Sequence, residues 1–260
     1  MGNIKLSACE LTMQYKDTIA LDHVSFDVRD GEFLSILGPS GCGKTTILRI
    51  LTGLQKPTNG TVIKDGVDIT NCPSSQRGIG IVFQNYALFE SMTVLDNVEY
   101  ALRIQKENRS ATAKAQVRQK VLAIIDQVGM TEHLHKKPAM LSGGQQQRVA
   151  IARTLALNPD VLVFDEPMSA LDVATRLSLR RELKHIQQEF GTTMIYITHD
   201  QEEAFAMSDR IMVMRKAKIV QIDTPESIVL NPVDSYVKEF VLDNLQTKIR
   251  SLVEYVRVSP

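Results

Sequence analysis

The 260-residue chain has little cysteine, few aromatics, no excess charge of either sign and no long apolar run. Its longest stretch without a charged side chain, Gly78–Phe89, is 12 residues, against about 20 apolar residues for a membrane-spanning helix. Nothing in the sequence is therefore expected to cross a bilayer. Lys+Arg and Asp+Glu number 30 each, which argues against gripping nucleic acid or an anionic membrane by bulk electrostatics. The three cysteines, Cys9, Cys42 and Cys72, are odd in number and scattered. They form neither a disulfide frame nor a zinc site and read as reduced thiols. No apolar core follows Lys5, so no secretory leader is expected. Leu6 stands where a myristoylation signal after Gly2 requires Ser or Thr. With 5% aromatic and 43% hydrophobic residues, a soluble, cytoplasmic α/β protein is expected, as one large domain or a domain with a sizeable insertion.

Periodicity sets out the elements. Ile4–Leu11 and His23–Val28 alternate like strands, and Phe33–Leu37 is a compact apolar run bounded by Gly38, expected as a buried strand. Thr45–Leu54 follows with helical spacing, so strand, glycine loop and helix open a parallel α/β unit. Thr61–Ile69 and Ile79–Phe83 return to strand character. Val94–Gln105, Ala111–Val128 and Gly144–Leu157 are helical, with a polar break at Glu107–Ser110. Val161–Phe164 (strand), Val173–Phe190 (helix), Thr192–Thr198 (strand), Gln201–Met207 (helix) and strands around Ile211–Val213 and Lys218–Gln221 complete the pattern. Tyr236–Val256 carries one apolar stripe and is expected as an amphipathic helix packed on its own chain.

Gly38-Pro39-Ser40-Gly41-Cys42-Gly43-Lys44-Thr45 fits G-x-x-x-x-G-K-[ST] between a strand and a helix. Glycines let successive N–H groups face inward as an anion nest, and the helix start adds its positive dipole end. Lys44 suits β- and γ-phosphates and the Thr45 hydroxyl suits Mg²⁺, so a nucleoside triphosphate is the expected ligand. Cys42, within this loop, is expected to be sensitive to alkylation unless nucleotide shields it. The strand Val161–Phe164 ends in Asp165 and Glu166. Adjacent buried carboxylates are expensive without a cation, so Asp165 is expected to hold Mg²⁺, directly or through water, and Glu166 to polarise the attacking water as a general base. Leu141-Ser142-Gly143-Gly144-Gln145 precedes a helix, with Ser142 a good N-cap and two glycines beside it. A second anion-binding helix start, far from the first, suggests service to nucleotide on another copy of the chain.

Together the Gly38–Thr45 loop, the Leu141–Gln145 pentapeptide and the Asp165-Glu166 strand resemble the nucleotide-binding subunits of ABC transporters, over about residues 4–235. The resemblance implies a P-loop NTPase core of mostly parallel sheet with helices, an N-terminal antiparallel β subdomain and an inserted α-helical subdomain. It implies a core over 1–87 and 158–235, a helical subdomain over 88–157 and a tail over 236–260. It further implies that Tyr15 stacks on adenine and that the loop from Gly38 to Thr45, with Thr46, holds ATP. Gln84 is then the Q-loop glutamine, catalytic and a Mg²⁺ ligand, beside Lys44, Glu166 and the switch histidine His199. Ser142, Gly143, Gly144, Gln145 and the D-loop Asp172 would act in trans in a head-to-tail dimer with an identical or similar subunit. The implied partners are integral membrane permease subunits and, indirectly, an extracytoplasmic solute-binding protein, with no nucleic acid. The implied location is peripheral, at the cytoplasmic face of the inner membrane.

Ile81-Val-Phe-Gln-Asn-Tyr-Ala-Leu-Phe89 and Thr198-His-Asp-Gln-Glu-Glu-Ala204 resemble bacterial importers of the sugar, polyamine, ferric-iron and phosphonate groups. Met168 and Glu90 replace the family's usual Leu and Pro. Only about 25 residues follow position 235, too few for the regulatory domain of many such subunits. Tyr86-Ala87-Leu88-Phe89 fits a docking surface for the membrane subunit and a piece of core equally well. The competing reading is a non-transport ATPase of DNA repair or the ribosome. Leu141 lies only 96 positions after Thr45, without sustained heptads between them, and each motif occurs once.

Overall fold

A computed structural model describes residues 3–104, 110–169, 171–247 and 250. Gly2, Gln105, the break over 107–109, Ala170, Ile249 and the tail beyond 250, including Leu252 and Val256, lie outside the described residues. The chain forms two compact units, Met1–Pro73 with Thr193–Pro260, and Ser74–Thr192. The first opens with β1 (Ile4–Tyr15), β2 (Thr18–Arg29), β3 (Phe33–Leu37), α1 (Lys44–Leu51), β4 (Asn59–Lys64) and β5 (Val67–Asp68). The second contains β6 (Ile79–Val82), α2 (Val94–Arg103), α3 (Ala111–Gln127), α4 (Gly143–Leu155), β7 (Val161–Asp165) and α5 (Val173–Phe190). The chain returns to the first unit with β8 (Thr193–Thr198), α6 (Gln201–Met207), β9 (Arg210–Arg215), β10 (Lys218–Asp223) and α7 (Pro225–Leu230).

The first unit carries two kinds of sheet. An antiparallel sheet in the order β2-β1-β4-β5 begins with a hairpin at Lys16-Asp17, and Asp65-Gly66, both at positive φ, turns β4 into β5. Alternation in β1 and β2 buries Leu6, Ala8 and Leu11 against Val24, Phe26 and Val28. In the second sheet β3 lies between β8 and β9, parallel to both, and β10 closes an edge antiparallel to β9. All five residues of β3 and all six of β8 are buried, which is why these strands read as mostly apolar runs rather than alternations. Helix α1 sets Ile47, Leu48, Ile50 and Leu51 into the interior.

Past α7 the chain forms a turn of helix, Ser235–Val237, and a π-helical stretch, Lys238–Asp243. Val237 and Val241 are buried with Ile228, Ala204, Ile211 and Val213, and Tyr236, Phe240 and Leu245 pack around them. The described part of the apolar stripe thus covers its own unit. In the second unit β6 and β7 pair in parallel, and α2 packs on α3 and α4. Gly80 on β6 allows a close approach: a Cβ there would lie 2.4 Å from Thr154 Cγ2 and force that side chain to shift. Among the described residues no helix is long and apolar enough to cross a membrane.

Candidate functional site

The loop between β3 and α1 is shaped by two glycines that admit no side chain. Gly43, the N-cap of α1, has φ +111°, and a Cβ there would lie 2.5 Å from Ala20 O. A Cβ on Gly38 would lie 2.7 Å from Cys42 Sγ and 2.8 Å from Met214 O. Each of α2 to α7 has an N-cap side chain that accepts a backbone N–H: Thr93, Ser110, Ser142, Asp172, Asp200 and Thr224. Helix α1 has neither such a cap nor an acidic residue in its first turn. The opening N–H groups of an α-helix have no acceptor within the helix, so this start is suited to an external anion. Lys44 Nζ donates to Gly38 O (2.7 Å) and Pro39 O (3.1 Å), lying across the loop. Pro39, Ser40, Gly41 and Thr45 are exposed, and Thr46 is half-buried.

Cys42 corrects an expectation. It is 3% exposed, and burial pushes its thiol above the ordinary cysteine value despite the nearby Lys44. Its side chain is wedged beneath Gly38 while its backbone stays in the loop. It is a small apolar filler rather than a reactive thiol.

Tyr15, at the end of β1, keeps an exposed ring, and its hydroxyl donates to Gln55 Oε1 (2.6 Å). His199 follows β8 and is exposed. Just behind it lies a carboxylate that sequence reasoning passed over. The buried Glu203 accepts from the Tyr196 and Thr198 hydroxyls, both at 2.8 Å, and so fixes the strand end from which His199 emerges. Its only sequence signal is an acid in the first turn of α6.

In the second unit Asp165 ends β7 and Glu166 follows it, both half-buried. Glu166 holds φ +44°, a left-handed backbone rare for a side-chain-bearing residue. A short chain of hydrogen bonds brings Gln84 to this turn. Gln84 Nε2 donates to Ser169 Oγ (3.0 Å), which donates to Glu166 O (3.0 Å). Ser169 is a second residue the sequence did not single out for this role.

Ser142 caps α4 as its sequence suggests. It accepts from Gln145 N, and Gln145 returns a bond to Ser142 N, a complete capping box. A Cβ on Gly144 would lie 2.5 Å from Thr175 Cγ2, and one on Gly143 3.2 Å from Leu171 Cδ2. Both glycines are thus matched to the close approach of residues 171–175. Asp172 caps α5, accepting from Thr175 N (3.0 Å) and Thr175 Oγ1 (2.6 Å). These bonds hold its carboxyl below the usual carboxylate range.

The segment Tyr86–Phe89 divides between the two readings offered for it: Tyr86 is 7% exposed and Phe89 39%. Phe89 packs on Tyr100, and nearby Met92, Asp96, Tyr100, Arg103 and Ile104 line a cleft of ≈ 320 Å³. Among the described residues no group of three or more His, Cys, Asp or Glu is placed to hold a metal ion. The candidate donors Thr45, Gln84 and Asp165 are all hard oxygens. They suit Mg²⁺, which is typically held by one or two carboxylates together with substrate phosphates.

The chain is 49% identical over 229 residues to the spermidine/putrescine import ATP-binding protein PotA of Oleidesulfovibrio alaskensis, covering 88% of this chain and 60% of that protein. It is 46% identical to the PotA of Lawsonia intracellularis, over 91% of this chain and 64% of that one. The chain therefore spans about three-fifths of the length of these curated relatives. Among solved structures it resembles the dimeric ATP-binding cassette MJ0796 in a post-hydrolysis state bound to ADP and Pi. The TM-score is 0.74 and the identity 35%, covering 85% of this chain and 98% of that one. It also resembles cbiO1 from Clostridium perfringens, part of the cbiONQ ABC transporter complex, with TM-score 0.79, 26% identity and coverage of 98% and 100%. These likenesses bear out the expected fold, a P-loop NTPase core of the cassette type. Residues 21–169, more than half of the sequence, match the family model described as ABC transporter, and the chain belongs to that family.

Proposed function

We propose that this chain is the ATP-hydrolysing subunit of an importer, working as a head-to-tail dimer on separate integral membrane subunits. The observation that carries the reading is the start of α1. It is the one helix among α1–α7 without a side-chain cap, it is entered through Gly43, and Lys44 lies across it. On this reading Lys44 Nζ leaves the carbonyls of Gly38 and Pro39 for the β- and γ-phosphates, and the N–H groups around Gly41–Thr46 hold phosphate oxygens. Tyr15 offers its exposed ring to adenine. Mg²⁺ arriving with the nucleotide would be held by Thr45, Gln84 and Asp165, directly or through water, and would neutralise charge on the β- and γ-phosphates. The Glu166 carboxylate takes a proton from the water that attacks the γ-phosphorus, while the bridging oxygen leaves with ADP. His199 donates to the γ-phosphate oxygens. Ser142, Gly143, Gly144 and Gln145 of a second copy complete the site, and Asp172 lies at that interface.

The relatives named for spermidine and putrescine import support a polyamine as the cargo, chosen by the membrane and solute-binding subunits rather than here. The exposed Phe89 and the adjoining cleft are the surface on which a permease segment would act. The chain would sit peripherally at the cytoplasmic face of the membrane. Glu166→Gln tests the chemistry: ATP binding is retained and most hydrolysis is lost, whereas normal turnover would refute the general-base role.

A further inference from the structure

The loop after Gln84 has an unusual anchor. Tyr86 and Ala87 are consecutive side-chain-bearing residues at φ +60° and +47°, a conformation that L-residues avoid unless the surroundings impose it. Arg153, in the last turn of α4, supplies that imposition. Its Nη2 donates to Tyr86 O (2.9 Å), its Nη1 to Ala87 O (2.6 Å), and its guanidinium lies 5.7 Å from the centre of the Phe89 ring. Burial disfavours its charge, yet among the described residues it pairs with no carboxylate. A basic residue in the last turn of a helix usually complements the dipole at the surface. This one has both hydrogen-bonding arms committed to a loop more than 60 residues away in sequence.

We propose that Arg153 is a positioning residue for hydrolysis: its fork holds Tyr86 and Ala87 in the left-handed conformation and thereby sets Gln84, two residues upstream. The inference rests on the reading of Gln84 as the active-site glutamine. Helix α4 begins at Gly143 and carries Arg153 in its final turn. One rigid element therefore ties Gly143 and Gly144 to the Gln84 loop, with Phe89 seated on the same guanidinium. Lysine cannot substitute fully, because a single ammonium lacks the fixed fork that serves two carbonyls at once.

The test uses the full chain with Arg153→Lys, Arg153→Ala and the double variant Arg153→Ala/Ala87→Gly, measuring ATP affinity, turnover and amide exchange. In Arg153→Ala turnover is expected to fall about tenfold or more while ATP affinity stays within about twofold, the pattern of a displaced catalytic group. Exchange should quicken over 85–89 and not in β3 or β8. Glycine reaches positive φ readily, so Ala87→Gly should restore several-fold of the lost turnover. Arg153→Lys should lose about threefold in turnover with affinity unchanged. If Arg153→Ala does not fold, Arg153→Lys decides. Wild-type turnover in Arg153→Lys, or faster exchange throughout the chain with no recovery in the double variant, overturns the proposal. A wild-type chain that hydrolyses no ATP would instead sink the proposed ATPase function, and exchange over 85–89 would still judge the anchor.

Discussion

Replacing Gly43 by alanine puts the account of the phosphate loop under the sharpest stress. The added Cβ would lie 2.5 Å from Ala20 O and 2.8 Å from Leu21 Cδ2, where ordinary contact begins at 3.4 Å. Relief requires about 0.9 Å of movement at the residue that starts α1. The φ of +111° adds about 1–2 kcal/mol of strain for a residue with a Cβ. Gly41 is the control. Its φ is +80°, but its Cβ would meet nothing within 4 Å, so it suffers the strain without the displacement. ATP at 100 times its dissociation constant stabilises a folded protein by about 2.7 kcal/mol. At about 2–4 °C per kcal/mol for a domain of this size, that is a thermal shift of about 5–11 °C. Melting with and without a non-hydrolysable ATP analogue and Mg²⁺ should show the full shift in wild type and almost none in Gly43→Ala. In Gly41→Ala the shift should persist on a baseline lowered by about 2–8 °C. A wild-type shift in Gly43→Ala, or its loss in Gly41→Ala, would show that the close approach at Gly43 does not govern nucleotide binding.

Ser142→Arg should leave nucleotide binding by the isolated chain intact and block ATP-dependent dimerisation and hydrolysis; surviving hydrolysis would rule out a site shared by two chains. Cys42 is buried with its thiol pushed up, so at neutral pH without nucleotide it should be alkylated far more slowly than the half-buried Cys9 and Cys72. Labelling should quicken as pH rises, and mass-mapped labelling that begins at Cys42 would contradict the packing. Asn97, fully buried, accepts from Phe89 N and donates to the carbonyls of Phe89, Met92 and Thr93. Asn97→Leu should destabilise the chain by at least about 2 kcal/mol in urea unfolding, at about 1–3 kcal/mol per stranded group. A loss below about 1 kcal/mol would mean that water replaces those bonds.

What the sequence made legible follows the physics of each element. Strands β3, β7 and β8 are buried almost throughout and appear as mostly apolar runs, broken only by Ser35 in β3, by Asp165 ending β7 and by Thr193 and Thr198 at the ends of β8. The glycine loop and the Ser142 cap are local chemistry and are readable as such. The expected strands Ile4–Leu11 and His23–Val28 proved to be parts of two 12-residue strands. Register shifts interrupt their alternation, and Glu10 and His23 sit at positive φ within it. Helix α7 went unread although Thr224-Pro225 is a cap followed by proline at the first helical position. The burial of Cys42 is a tertiary outcome, in a loop whose Cys42 carbonyl accepts from Ala217 N (3.2 Å), far along the chain. The Arg153 fork, the Gln84–Ser169–Glu166 chain and the Glu203 carboxylate are long-range or tertiary pairings, and no local pattern encodes them.

In the proposed cycle ATP joins two copies of this chain before it is hydrolysed. Sedimentation of Glu166→Gln measures this directly. With Mg²⁺ and ATP the variant should run as a dimer, and with ADP or without nucleotide as a monomer. A monomer at saturating ATP would rule out nucleotide-driven dimerisation.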